Sequence, residues 1–151
     1  MIVAIGADHR GCEPTRRLAD VLKKDGHEIH TPRELTEEST DYPDFAAAVG
    51  REVATGAAER GVLVCGSGIG MSIAANKIDG VRAALVCDEL SARMSRAHND
   101  ANVLCLSADL LSESDIEDIV RVWLSEPFEG GRHQRRVDKI MALERRAAAN
   151  A

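Results

Sequence analysis

Five short apolar runs, rich in β-branched residues, alternate along the chain with segments of helical periodicity. Strands that alternate with helices in this way favour a parallel sheet, with right-handed crossovers that place helices on both faces. The predicted strands are 2–7, 28–31, 62–64, 81–86 and 102–106. We therefore predict an α/β fold whose centre is a five-stranded parallel sheet.

The helices are predicted from apolar residues at helical spacing and from residues suited to helix termini. Leu18, Val21 and Leu22 form one apolar stripe, and Gly26 follows it as a residue suited to a helix C-terminus. Ser112 or Ser114 is suited to capping the fifth helix, because a hydroxyl can accept a bond from a free amide there. The predicted helices are 13–24, 41–55, 71–77, 88–97, 116–124 and 132–146.

The last predicted helix, 132–146, comes after the sheet is complete and is strongly charged. Val137, Ile140, Met141 and Leu143 lie on one of its sides. Two interpretations stay open: this side contacts a second subunit, or it packs on its own domain. The whole chain, 1–151, is expected to be a single-domain, Rossmann-like three-layer sandwich with a protruding C-terminal helix.

Charge and cysteine usage narrow the classes of function. The 151 residues carry a formal net charge of −6, which argues against a nucleic-acid surface, since such a surface needs a basic patch. The chain has no long apolar segment, so no membrane span is expected. Its four cysteines lack C-x-x-C spacing, and the first residues lack the basic lead of a signal peptide. We expect a cytoplasmic protein with reduced thiols.

The stretch from Gly61 to Ser72 is the strongest candidate for a site. Cys65 stands where a buried strand ends, and a loop with glycines at alternate positions leads into a helix. Ligands of open parallel sheets bind beyond the carboxyl ends of the strands. A thiol at a helix N-terminus has more thiolate character than a free thiol, which suits a general base or a nucleophile. The alternative is a small buried hydrophobic residue.

The loop after Cys65 is predicted to bind an anion through its backbone. Gly66, Gly68 and Gly70 are separated by Ser67 and Ile69. This is neither G-x-G-x-x-G nor a Walker motif, so a nucleotide is not indicated. Alternating glycines before a helix favour a backbone anion hole, although a turn without function is the alternative.

Further candidates lie outside this loop. Asp8 and His9 follow the first strand, at the same sheet edge as Cys65, whereas the spacing does not connect His98 with that edge. Arg132 and Arg136 share a helix face and could clamp a phosphate, or form a solvated face. The spacing shows no metal site. We interpret Cys87 and Cys105 as core residues and leave Cys12 unassigned.

The chain resembles the type B ribose-5-phosphate isomerases, the family that also contains the galactose-6-phosphate isomerase subunits. The resemblance extends from the first strand to the last helix and rests on six motifs. These are Gly6-Ala7-Asp8-His9-Arg10-Gly11, Thr40-Asp41-Tyr42-Pro43, Cys65-Gly66-Ser67-Gly68-Ile69-Gly70, Ser72-Ile73-Ala74-Ala75-Asn76-Lys77, His98-Asn99-Asp100-Ala101-Asn102-Val103 and Glu129-Gly130-Gly131-Arg132-His133-Gln134.

The resemblance implies isomerisation of a phosphorylated sugar, without metal or cofactor, through an enediolate. The residue matching the family's base, which moves a proton between C1 and C2, is Cys65, and the one matching its ring-opening histidine is His98. Ser67 stands where the family often has threonine, and its hydroxyl could orient the thiol. The loop Gly66, Ser67, Gly68, Ile69 and Gly70, together with Asn99, would hold the enediolate oxygens.

The resemblance also implies a phosphate site and a subunit assembly. The residues expected to bind the phosphate are His9, Arg132 and Arg136, while Asp8 would contact the sugar oxygens. Family members are dimers or tetramers with active sites at a subunit interface. The implied reaction is conversion of ribose 5-phosphate to ribulose 5-phosphate. The alternatives are a sugar phosphate with four or six carbons, or a non-catalytic sugar-phosphate binding module.

Asp109 departs from the family pattern, which usually has an arginine of the phosphate site at this position. An aspartate beside a dianion is unfavourable by Coulomb repulsion. Either Asp109 points elsewhere, Arg10 or Arg135 compensates for it, or the preferred substrate is not ribose 5-phosphate. The segment Arg33-Glu34-Leu35-Thr36-Glu37-Glu38 departs from the pattern as well.

Overall fold

A parallel sheet of five strands forms the centre of the computed structural model, which describes residues 1–149 and, in the last helix, side chains as far as 144. The strands lie in the order β2-β1-β3-β5-β4. They are β1 Ile2–Ala7, β2 Glu28–His30, β3 Arg60–Cys65, β4 Ala83–Leu85 and β5 Val103–Ser107. The helices are α1 Cys12–Lys24, α2 Tyr42–Thr55, α3 Ile69–Ala75, α4 Glu89–Asn99, α5 Glu113–Ser125 and α6 Arg132–Ala149.

The two faces of the sheet bury separate apolar clusters, because successive strand residues point to opposite faces. One cluster joins the sheet to α1, α4 and α5 and contains Val62 and Val64 of β3. The other joins it to α2 and α3 and contains Leu63 and Cys65. The predicted three-layer α/β sandwich is therefore confirmed, and Cys65 belongs to the α2–α3 side.

The other cysteines differ in their surroundings. Cys105 lies in the same cluster as Cys65, and burial, followed by the nearby Cys65, raises the pKa of its thiol. Its interpretation as a core residue is confirmed. The same interpretation of Cys87 is wrong, because this residue lies beyond the short edge strand β4 and is exposed. Cys12 is buried at the start of α1.

Several predicted bounds differ from the observed ones by up to three residues, and two of these differences have a clear physical cause. β4 is shorter than the predicted strand 81–86, since the amide of Arg82 donates to the side chain of Asn102 (2.7 Å) instead of to a strand neighbour. α4 runs through Asn99, where a loop was predicted. It ends at Asp100, whose φ of 47° is left-handed and whose carboxylate accepts from Arg82 (3.0 Å) and the buried Arg96 (2.8 Å).

α6 packs on its own domain over its described side chains. Val137 and His133 are buried, and the amide of Gly80 donates to Glu144 (3.1 Å). Ile140 and Leu143 on the same helix are 43% and 61% exposed, so part of its apolar surface stays uncovered. The helix predicted at 132–146 is present, with the side chains of 145 and 146 outside the described residues. Within the described chain, no helix is long and apolar enough to cross a membrane.

Gly11 is required where α1 begins beside β3. A Cβ atom at this position would lie 2.4 Å from the backbone oxygen of Val64, which cannot move without breaking the sheet. Its φ of −91° suits any residue, so the collision with Val64 is the only cost of a side chain at this position. We expect Gly11→Ala to lower the free energy of unfolding by about 3 kcal/mol, at the upper end for overpacking.

Urea unfolding followed by circular dichroism measures this loss. Gly26→Ala is the control, because its Cβ would meet nothing within 4 Å and only the φ of 87° opposes it. That strain costs about 1 kcal/mol. A smaller loss for Gly11→Ala than for Gly26→Ala would show that the collision does not constrain the fold.

Candidate active site

The thiol of Cys65 is buried where β3 ends, under the loop that leads into α3. The amide of Gly68 donates to its Sγ at 3.1 Å. Gly68 has a φ of 75°, and a Cβ there would lie 2.5 Å from Leu85 Cδ1 and 3.0 Å from the carbonyl carbon of Leu106. Only glycine can therefore bring this amide to the sulfur. This hydrogen bond fixes the position of the sulfur.

A cleft of about 450 Å³ opens beside this thiol. The residues that line it, which we call the Cys65 cleft, are Asp8, Arg10, Tyr42, Cys65, Gly66, Ser67, Ile69, Gly70 and Ile73. Tyr42 occupies the space that a side chain at position 70 would fill, since a Cβ there would lie 2.5 Å from the tyrosine ring. The first amides of α3, at Gly70 and Met71, precede any intrahelical acceptor and can bind an anion.

The hydroxyl of Ser67 is engaged with the backbone. It accepts from the amide of Ile69 at 3.3 Å, whereas the amide of Gly68 supplies the hydrogen bond to the Cys65 thiol. The predicted role of Ser67 in orienting the thiol stays a prediction.

Asp8 and His9 reach the Cys65 edge of the sheet from the end of β1. The buried carboxylate of Asp8 accepts from the amides of Arg10 (3.0 Å) and Gly11 (3.1 Å), which fixes its orientation. The ring of His9 accepts from the amide of Thr40 at 3.5 Å. Asp8 and His9, which follow β1, and Cys65, which ends β3, thus lie at the same edge of the sheet, as predicted.

Asp109 forms an ion pair with Arg10 above the loop. Its carboxylate lies 2.6 Å from Arg10 Nη2 and 3.1 Å from Nε. The amide of Asp109 also donates to the carbonyl of Gly66 at 3.1 Å, which places the pair over that glycine. The hydrogen bond and charge of Asp109 raise the pKa of Arg10. Of the three alternatives for Asp109, compensation by Arg10 is the one that the contacts support.

His98 and Asn99 lie at the opposite edge of the sheet. They are the last two residues of α4, which leads into β5. Just before β5, the carbonyl of Asn102 accepts from the amide of Gly61 at 2.9 Å, so His98 and Asn99 lie near the beginning of β3. Cys65, at the far end of β3, pairs with Ser107. Gly61 and Cys65 are four steps apart along the strand, which is about 13 Å. One chain therefore holds the predicted site residues in two separate groups.

A cluster forms around His98 where α6 begins. We call its members, His98, Glu129, Arg132 and His133, the histidine cluster. The rings of His98 and His133 are stacked with centroids 4.2 Å apart and planes 3° apart. Glu129 Oε2 lies 3.8 Å from His98 Nε2 and 3.5 Å from His133 Nε2. Burial, then His98, then Arg132 lower the pKa of His133, which keeps its ring neutral near pH 7.

Sequence reasoning missed Glu129 and His133 as functional candidates. The signal available was their spacing, four residues apart around Gly130-Gly131, in one of the motifs that carried the resemblance. The backbone brings them to α4 because the amide of Glu129 donates to the carbonyl of Ala97 (3.0 Å). Arg132 and Arg136 are exposed beside this cluster.

The histidine cluster is also the place where the described residues could hold a metal ion, with its ligand atoms from His98, Glu129 and His133 within 4.8 Å of one another. Its geometry is unfavourable for this. The two rings lie in parallel planes, so one ion cannot lie in both. The Nε of Arg132, 3.4 Å from His133 Nε2, adds a positive charge.

We therefore expect a chelator to leave the activity unchanged. Dialysis against EDTA should keep kcat/KM within about twofold, since His and carboxylate ligands in this arrangement do not give a metal its preferred geometry. Metal analysis of the same sample is the control. Activity that falls on dialysis and returns with one divalent metal would contradict the prediction of a metal-free site.

A second cleft, of about 540 Å³, lies between the starts of α4 and α5. Its lining includes the carboxylates of Asp88, Glu89, Asp115 and Asp118. Four carboxylates would repel an anionic ligand. The Cys65 cleft is therefore the better candidate for a phosphorylated substrate.

Comparison with known proteins agrees with these motifs. The sequence pattern of the family described as Ribose/Galactose Isomerase matches residues 3–140. The chain is 41% identical over 144 residues to ribose-5-phosphate isomerase B of Escherichia coli, covering 95% of this chain and 97% of that protein.

Solved structures agree in fold as well. Ribose-5-phosphate isomerase B of Clostridium thermocellum superposes with a TM-score of 0.95 at 46% identity, over 97% of this chain and 99% of that one. The Mycoplasma genitalium enzyme with bound ribulose-5-phosphate gives 0.88 at 40% identity, over 95% and 96%. The chain therefore belongs to the ribose/galactose isomerase family, as its motifs predicted.

Proposed function

We propose that this protein interconverts ribose 5-phosphate and ribulose 5-phosphate with Cys65 as the base. The observation that carries the proposal is the Cys65 thiol, held at 3.1 Å by the amide of Gly68 at the mouth of the cleft. Relatives named ribose-5-phosphate isomerase B, one with ribulose-5-phosphate bound, support the choice of substrate.

The chemistry suits the cleft. The thiolate of Cys65 takes the proton from C2 of the open-chain aldehyde, which leaves an enediolate. The same proton, or one from solvent, then goes to C1, while a proton moves from O2 to O1, so that the ketone forms without net loss of protons. A thiolate near neutral pH is a suitable base. The loop Gly66 to Gly70 would hold the developing oxyanion through backbone amides, which need no reorganisation during the reaction.

A complete site requires a second subunit. Cys65, Asp8 and His9 lie at one edge of the sheet and His98 and Asn99 at the other, about 13 Å away along β3. In a homodimer, or a tetramer made of such dimers, the Cys65 edge of one chain can face the His98 edge of its partner. The exposed apolar side chains near the cleft, Ile69, Ile73, Leu85 and Leu110, give such an assembly a surface to bury.

The remaining roles follow from this assembly. His98 opens the sugar ring, Asn99 contributes to holding the enediolate, and Asp8 binds sugar oxygens. His9 would bind the phosphate together with Arg132 and Arg136 of the partner subunit. Residues 1–151 form one isomerase domain, and the helix 132–146 takes part in the interface. The four free cysteines fit a cytoplasmic enzyme.

A panel of tetrose, pentose and hexose phosphates tests the proposal. We expect the highest kcat/KM with ribose 5-phosphate. The panel also covers the alternative, isomerisation of a four- or six-carbon sugar phosphate, which is raised by Asp109 at the position where the family usually has an arginine. A higher kcat/KM with one of those sugars would replace the main proposal. Tight binding without turnover would favour a non-catalytic binding module.

A further inference from the structure

We propose that Glu129 and His133 are positioning residues that hold His98 in the orientation and charge state for opening the sugar ring. This inference rests on the proposed function. It assigns a role to two residues that do not line the Cys65 cleft, and it explains why the loop before α6 is hydrogen-bonded to the end of α4.

The first argument is the geometry of the stack. His133 is 5% exposed, and its amide donates to the carbonyl of Gly130 at 3.0 Å. Its ring is therefore held in one orientation. The ring of His98 lies flat on it, with centroids 4.2 Å apart and an angle of 3° between the planes. The His98 side chain is still 30% exposed, so one side remains open to a ligand. A stacked ring loses rotamer freedom before the substrate arrives, which is the purpose of preorganisation.

The second argument is charge. Two imidazolium rings stacked this closely would repel each other. Burial, then His98, then Arg132 lower the pKa of His133, so its ring stays neutral beside His98. The carboxylate of Glu129, 3.8 Å from His98 Nε2, then stabilises the imidazolium. The charged groups facing the pair are thus Glu129 from the loop and Arg132 and Arg136 from α6.

The ring-opening step uses this arrangement. Neutral His98 takes the proton of the C1 hydroxyl of the furanose while the C1–O4 bond breaks and C1=O forms. The imidazolium then gives its proton to O4, so that His98 ends as it began. During the step the ring carries a positive charge, and Glu129 is placed to favour that charged form over the neutral one.

The test separates ring opening from proton transfer. Ribulose 5-phosphate cannot close a five-membered ring, because its C5 oxygen carries the phosphate. Exchange of its C1 hydrogen with deuterium from solvent, followed by NMR, reports the Cys65 step alone. For Glu129→Gln we expect kcat/KM with ribose 5-phosphate to fall about tenfold, a fraction of what acid–base catalysis supplies. The exchange rate should stay within about twofold.

A matched control comes from the same loop. Glu126→Gln removes a carboxylate that pairs with Arg93 at 3.1 Å and lies outside the cluster, so both rates should stay at the wild-type value. For His133, phenylalanine keeps a flat ring and alanine removes it. His133→Phe should keep most of the turnover that His133→Ala loses.

The outcomes are distinct. Selective loss of ribose 5-phosphate turnover in Glu129→Gln supports the proposal. Equal loss of turnover and exchange, or no loss of either, overturns the proposal. The wild-type protein tests the proposed function independently of these variants. If the wild-type protein does not turn over ribose 5-phosphate, the proposed function fails instead. Because Glu129 is exposed, its glutamine variant is expected to fold even if the variants at His133 do not.

Discussion

Replacing Cys65 with alanine is expected to abolish isomerisation, with kcat falling by about 10³-fold, within the range of a lost general base. The reason is that no other described thiol can substitute for it. Cys12 and Cys105 are buried, and burial raises the pKa of both thiols, while Cys87 lies outside the Cys65 cleft. The exchange of the C1 hydrogen of ribulose 5-phosphate should be lost in the same proportion.

The control is Cys87→Ala, which removes an exposed thiol and should keep wild-type activity. Circular dichroism of Cys65→Ala checks that the fold is intact, since the change removes one sulfur atom from a buried position. If Cys65→Ala kept more than about a tenth of the wild-type kcat, general base catalysis by this thiol would be excluded.

Removing both arginines at the start of α6 should give the second large effect. For Arg132→Ala/Arg136→Ala we expect kcat/KM to fall by about 10²–10⁴, because each charge-assisted hydrogen bond contributes about 1.5–3 kcal/mol. Binding energy from the phosphate is used at the reacting carbons, so kcat should fall as well as KM rise. Competitive inhibition by inorganic phosphate should weaken in parallel.

Arg135→Ala is the matched control for this double variant. Arg135 is exposed on the same helix and carries the same charge, but it is adjacent in sequence to Arg136 and lies about 100° away from it around the helix. Its loss should change kcat/KM by less than about threefold, as expected of one screened surface charge. A loss equal to that of the double variant would mean that the general positive charge of the helix, and not a phosphate clamp, is responsible.

Local patterns in the sequence predict most of the fold. β1 is found at its predicted bounds, and the Cys65 loop lies where a strand meets a helix, because apolar periodicity and glycine placement are local signals. The end of α4 was not predictable in this way. It depends on Asp100 in a left-handed conformation, held by Arg82, 18 residues earlier in the chain, and by Arg96, one turn earlier in α4.

The division of the site into two groups follows from tertiary structure. Cys65 comes after a strand and His98 before one, which in a parallel sheet puts them at opposite edges, yet spacing alone does not measure the distance between them. The ion pair of Arg10 with Asp109 and the stack of His98 on His133 join residues 99 and 35 positions apart. Such contacts leave no periodic signal in the sequence.

A mixed dimer tests the central claim, an isomerase site built from Cys65 of one chain and the arginines of its partner. Cys65→Ala and Arg132→Ala/Arg136→Ala chains are co-expressed with different affinity tags, and the heterodimer is isolated through both tags. One of its two sites then carries every change and the other carries none.

The account predicts that this heterodimer converts ribose 5-phosphate with about half of the wild-type activity, although both parent homodimers are nearly inactive. A heterodimer no more active than the average of its parents would contradict the account, since each site would then lie within a single chain.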